Sequence, residues 1–195
     1  ALESERANRV KFRNWLEPHV KAEFINGEIV MHSPAKHIHN VIRVRLERII
    51  GLYLLSHQLG EVVSEKALCA FPRNDYEPDI AVYTAERAAA LTPETLEYPP
   101  PDWIIEVLSP STEHRDRGVT FADYGAHGVD EYWLVDPEIQ VVEIFQATEG
   151  SYDLVGRHAK GSVGSLTFPP LSLPLAALFD EAAHRAFVET LASGR

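Results

Sequence analysis

Apolar residues recur along this chain with two different periods. Ile38, Val41, Ile42, Leu46, Ile49 and Tyr53 follow a helical spacing, which predicts a long helix over about residues 36–55. Elsewhere the apolar residues fall in short runs. "EVVSEKALCAF", "DIAVY", "WIIEVL" and "EYWLVD" read as strands, parted by loops rich in Pro, Gly and Asp. Asn26-Gly27 is a two-residue hairpin signal, so residues 22–25 and 28–32 are predicted to pair antiparallel. "QVVEIFQA", the turn "TEGS" and "YDLVGRH" predict a second hairpin. Helices are expected at residues 3–15, at 113–127 after the capping sequence "SPST", and at the end of the chain, with a helical turn near 86–91. "PRNDYEP" reads as a loop. The strand-helix-strand order of residues 103–136 favours an α/β arrangement, a mixed sheet with helices packed on it. No repeat or linker divides residues 1–195, so one domain is expected, with an N-terminal helix and a C-terminal hairpin plus helix.

One strand breaks its own pattern. "WIIEVL" is apolar enough to be buried, yet Glu106 stands near its centre. Strand alternation puts Ile104, Glu106 and Leu108 on one face and Trp103, Ile105 and Val107 on the other. A desolvated carboxylate is costly unless it is paired or binds a cation. Two readings follow: Glu106 pairs with an Arg or a backbone amide, or it is a metal ligand at the open end of the strand. Asp79, at the start of "DIAVY", is either a turn residue or a second ligand. An Asp and a Glu on neighbouring strands suit a hard cation such as Mg²⁺, whose remaining positions go to water and phosphate oxygens.

Composition narrows the field. The formal net charge of -11 argues against a broad basic footprint for nucleic acid, although it says nothing about local placement. The single cysteine, Cys69, allows no intramolecular disulfide and lies in an apolar run, as a core residue would. No apolar stretch reaches the roughly 18 residues of a membrane span, and no signal-peptide pattern is seen, so a cytoplasmic protein is expected. The nine histidines, His37 and His39 among them, lack structural-zinc spacing. There is no phosphate-binding loop, dinucleotide fingerprint or nucleophile elbow.

The segments "INGEIVMHSPAKHIH", "EPDIAVY", "PDWIIEVLSPST", "DRGVTFADYGAHGV" and "EYWLVDP", spread over about residues 24–145, resemble the Uma family of putative restriction endonucleases in the PD-(D/E)XK nuclease-like superfamily. The resemblance implies a restriction-endonuclease-like core, a central mixed sheet flanked by helices. It places Asp79 and Glu106 as catalytic acids on Mg²⁺ or Mn²⁺. Glu28 matches an acid near the family's site, or is a solvated residue after a hairpin turn. His39 matches a histidine at the start of the long helix, in contact with the scissile phosphate or capping the site. The superfamily's lysine would stand two residues after the acid, where this chain has Leu108. The alternative, a lysine on the next helix, falls at Thr120, between Asp116 and Tyr124. Thr120 can orient water but supplies no charge; Lys36 and Lys66 are the stand-ins considered. The implied function is a metal-dependent endonuclease hydrolysing DNA phosphodiester bonds. The alternative is a catalytically degenerate nuclease fold that binds nucleic acid or a protein partner. The sequence is compatible with a homodimer.

Overall fold

The computed structural model describes residues 2–17 and 19–194. In chain order the elements are α1 (Leu2–Trp15), β1 (Ala22–Ile25), β2 (Glu28–Met31), α2 (His37–His57), β3 (Gly60–Ser64), β4 (Leu68–Ala70), β5 (Asp75–Tyr76), β6 (Ile80–Thr84), α3 (Ala85–Ala88), β7 (Glu97–Tyr98) and β8 (Trp103–Val107). The remainder are α4 (Glu113–Asp116), α5 (Val119–Ala126), β9 (Glu131–Asp136), β10 (Val141–Thr148), β11 (Ser151–His158), β12 (Ser162–Gly164), β13 (Ser172–Pro174), α6 (Ala176–Phe179) and α7 (Glu181–Ala192).

A six-stranded sheet, ordered β11-β10-β9-β8-β6-β3, forms the centre. It is mixed: β8 and β9 run parallel, as a crossover through α4 and α5 requires, and the other neighbours are antiparallel. Strand alternation sorts its side chains as expected. Trp103, Ile105 and Val107 join Trp133 and the apolar face of α2 in one core, closed by α6 and α7. Ile104 and Leu108 join Tyr124, Tyr132 and Tyr152 in the other. The Trp103 and Trp133 rings meet edge to face across the parallel pair at 4.8 Å, a contact worth about 0.5–1.5 kcal/mol beyond its buried area. Cys69 is a core residue of the second cluster, and burial pushes its thiol up to about 12.

The second sheet, β2-β1-β5-β4-β7, was only partly legible. The expected single strand over "EVVSEKALCAF" is two strands in two sheets. Glu65 and Lys66 adopt left-handed backbone angles (φ +47° and +59°), and the chain turns there from one sheet into the other. "PRNDYEP" is not wholly a loop, because Asp75–Tyr76 bridges β1 to β4. Asp75 can be buried there because Arg9 and Arg13 of α1 both donate to its carboxylate, at 2.8 and 2.9 Å from their Nε atoms. The helix expected over residues 113–127 breaks at Gly118, where an added Cβ would lie 2.7 Å from the His114 carbonyl oxygen. Thr112 precedes α4 but makes no side-chain cap to a helix amide, so the capping chemistry expected of "SPST" is not used.

Candidate active site

The β6–β8 register pairs Ile80 with Ile105, so Asp79 and Glu106 meet where the two strands end. Each carboxylate takes the other strand's backbone. The Asp79 amide donates to Glu106 Oε2 at 3.1 Å, and the Val107 amide donates to Asp79 Oδ2 at 2.9 Å. Tyr124 of α5 donates its hydroxyl to Glu106 Oε1 at 3.3 Å. His39, in the first turn of α2, brings Nε2 to 3.0 Å from Asp79 Oδ2, while its buried Nδ1 has no hydrogen-bond partner among the described residues. Neither acid pairs with an Arg among the described residues.

These residues open onto a cleft of about 980 Å³ between the small sheet, the start of α2, and the Ser109–Thr112 turn with α4. Its acids outnumber its fixed cations: Glu23, Glu65, Glu77, Asp79, Glu106 and Asp116 face Lys21, Lys36 and Arg115. Burial and that imbalance set the protonation behaviour. Burial drives the Glu106 carboxyl well above its ordinary range, and the charges of Asp79 and Asp116 add to the rise. Burial likewise lifts Asp116 to about 7, opposed by a Thr112 hydrogen bond and reinforced by Asp79 and Glu23. Asp79 is the exception. Burial works against its charge, but His39, Lys21 and the Val107 amide outweigh it and hold the carboxyl low. One acid is kept charged beside another that resists charging, the division of roles on which acid–base sites are built.

Of the residues singled out in the sequence, Asp79, Glu106 and His39 come together here. Glu28 does not. It is exposed beside the Asn26-Gly27 turn, while the open end of that hairpin, at Met31 and His32, lines the cleft. Thr120 is 4% exposed on α5 and Leu108 is packed in the core; neither lines the cleft. Lys36 lies on the rim, ion-paired to Glu138 at 3.1 Å, and Lys66 reaches to 3.7 Å from Glu77. Sequence reasoning missed Glu23, Glu77, His32 and Lys21. Glu23 carried the same signal as Glu106, an acid inside an apolar strand. It accepts the Glu77 amide at 3.0 Å and lies 3.1 Å from His32 Nε2. Glu77 stands two residues before Asp79. Both its oxygens are buried without a hydrogen bond among the described residues, and burial raises its carboxyl against the pull of Lys66, Lys21 and His32.

A divalent cation fits this donor set. Hard carboxylate oxygens crowd together with few fixed cations, and burial, with neighbouring carboxylates adding to it, raises Glu106 and Glu77. Among the described residues no three or more His, Cys, Asp or Glu side chains are gathered as a closed metal cage. A cation held here would have Asp79 and Glu106 from the protein and would take its remaining oxygens from solvent or substrate.

Comparison with known proteins bears on the fold and the family. A protein of Synechocystis sp., sll1609, described as uncharacterized, is 31% identical over 128 residues, 65% of this chain and 72% of that protein. The crystal structure of a putative nuclease belonging to DUF820 from Anabaena variabilis matches with a TM-score of 0.75 at 21% identity, covering 92% of this chain and 97% of that one. That likeness establishes the restriction-endonuclease-like fold. Residues 9–176 match the sequence model of Uma2, described as putative restriction endonuclease. With the match spanning most of its length, the chain belongs to the Uma2 family.

Proposed function

We propose that the protein is a metal-dependent endonuclease that hydrolyses DNA phosphodiester bonds in the cleft at the ends of β6 and β8. The observation that carries this reading is the mutual seating of Asp79 and Glu106, two buried acids held together by each other's strands and open to a large cavity. Asp79 and Glu106 would hold Mg²⁺ or Mn²⁺. Such a cation, when bound, acidifies water and offsets charge that grows on a phosphate. The chain's own residues do the rest. His39 fixes the Asp79 carboxylate in its charged state. Tyr124 orients Glu106 through Oε1. The surrounding strands exclude bulk water from the inner side of both acids, which strengthens every charge interaction there.

A second reading rests on one observation: Leu108 and Thr120 are neutral and sealed in the core. It holds that the cleft binds nucleic acid or a protein partner without cutting. The two readings separate in one assay, nicking of supercoiled plasmid in Mn²⁺ or in EDTA by wild type, Asp79→Ala and Glu106→Ala. Metal-dependent nicking lost in both variants supports the endonuclease. Folded wild type that binds DNA without nicking supports the binding module.

A further inference from the structure

Lys21 was not singled out by any motif, yet it stands at the centre of the charge balance. It immediately precedes β1, and its carbonyl accepts the His32 amide at 3.1 Å, which pins it to the open end of the hairpin at the cleft. Its ammonium lies 3.7 Å from Asp79 Oδ1, and its side chain remains 29% exposed. It also helps lower the Asp79 carboxyl and opposes the burial that raises Glu77. Of the other fixed cations of the cleft, Lys36 pairs with Glu138 on the rim, and Arg115 lies on α4 beside Asp116, with no ion pair to Asp79 or Glu106 among the described residues. A phosphodiester is an anion, and six acidic side chains line the walls it would enter. Chemistry on it calls for a fixed cation next to the reacting carboxylates, and among the described residues Lys21 is the one Lys or Arg paired with either of them.

We propose that Lys21 is a further catalytic residue of this cleft, its ammonium compensating Asp79 in the free protein and contacting a non-bridging phosphate oxygen during hydrolysis. The inference rests on the endonuclease reading above. In that reaction the water oxygen forms a new bond to phosphorus and the bond to the leaving oxygen breaks, its electron pair departing with that oxygen. One proton passes, in net, from the water to the leaving oxygen, and Lys21 stays protonated throughout. Charge on the non-bridging oxygens is greatest between these events, so a cation already in place favours the transition state over the bound substrate.

The test compares wild type with Lys21→Met and Lys21→Arg in three measurements: Mn²⁺-dependent plasmid nicking, Mn²⁺ binding by calorimetry, and thermal unfolding. Lys21→Met should lower kcat by about 100- to 1000-fold, the usual loss for one preorganised donor, with KM for DNA within about threefold. Its Mn²⁺ affinity should equal or exceed that of wild type, because a like charge beside Asp79 is gone. Its Tm should move by no more than about 2 °C. Lys21→Arg, which keeps the charge with a different shape, should recover part of kcat. A kcat within threefold of wild type overturns the proposal. So does a loss of kcat that comes with weaker Mn²⁺ binding or a large fall in Tm, since a merely structural lysine would behave that way. Wild type that binds Mn²⁺ and DNA without nicking overturns the endonuclease reading itself, and the role of Lys21 falls with it.

Discussion

Two ends of the same parallel strand pair treat buried carboxylates in opposite ways. At the start of β9, Glu131 is completely buried and saturated. It accepts from Trp133 Nε1 at 2.6 Å, Ser165 Oγ at 2.8 Å, and the Leu166 and Thr167 amides at 3.0 and 2.8 Å. Just before β8, Asp102 accepts from the Thr84 amide at 2.7 Å and lies 2.9 Å from Arg87 Nε. At the far end of β8, Glu106 has the Asp79 amide, one long bond from Tyr124, and three acids that oppose its charge, Asp79, Asp116 and Glu23. Burial of an acid therefore does not mark a site by itself. What separates the two ends is whether the fold supplies the donors. Glu131 is met by donors from a loop it organises, whereas Glu106 has one donor to each oxygen and neighbouring acids that oppose its charge.

Stability should expose this difference most strongly. Glu131→Gln turns an amide donor toward several buried donors, each costing about 1–3 kcal/mol when unpaired, so a loss of at least about 3 kcal/mol is expected in urea unfolding. Glu106→Gln removes a charge that burial and Asp79 disfavour. In EDTA at pH 8 it should leave stability unchanged or raise it by about 1 kcal/mol, as is common where function is kept at the expense of stability. Equal losses in the two variants would erase the distinction.

The pH dependence sharpens it. Asp116 is raised from 3.8 to about 7, so the folded state binds more protons than the unfolded state between those values. Its contribution is complete below about pH 4 and is lost as pH rises toward 7, at no more than about 1.4 kcal/mol per pH unit. Asp116→Asn, measured in EDTA, should flatten that decline. A wild type and variant with parallel pH profiles would show that Asp116 is no part of the strained cluster.

The smallest effect belongs to the hairpin. Glu28 is exposed and outside the cleft, so Glu28→Ala should change stability by no more than about 0.5 kcal/mol and leave plasmid nicking untouched. A large loss of nicking would mean that the hairpin folds over bound substrate.

The parts of this arrangement that were legible in the sequence share a cause. Alternation in "WIIEVL" determines that Glu106 shares a face with Ile104 and Leu108, and the family resemblance is what brought Asp79 of "DIAVY" to the same site. The Asn26-Gly27 turn likewise specified the first hairpin. The small sheet was harder because its strands are very short, two residues in β5 and β7, and are held by Arg9, Arg13 and Asp75 rather than by an apolar pattern. Glu23 was legible, as an acid inside the apolar strand "AEFI", and was passed over; Lys21, His32 and Glu77 were missed for a related reason. They reach the cleft through tertiary placement of that sheet, and local periodicity carries no record of it. Glu28 shows the converse, since a motif match fixes a residue's place in the chain but not which end of a hairpin faces the site.

The central claim is that Asp79 and Glu106 together form a cation site that the fold leaves incomplete. Calorimetric titration of Mn²⁺ into wild type, Glu106→Ala and Glu131→Gln tests it most directly. Wild type and whatever fraction of Glu131→Gln remains folded should bind Mn²⁺ weakly, because two carboxylates without a phosphate leave most of the coordination shell to water, and Glu106→Ala should not bind. Equal binding by wild type and Glu106→Ala would contradict the account.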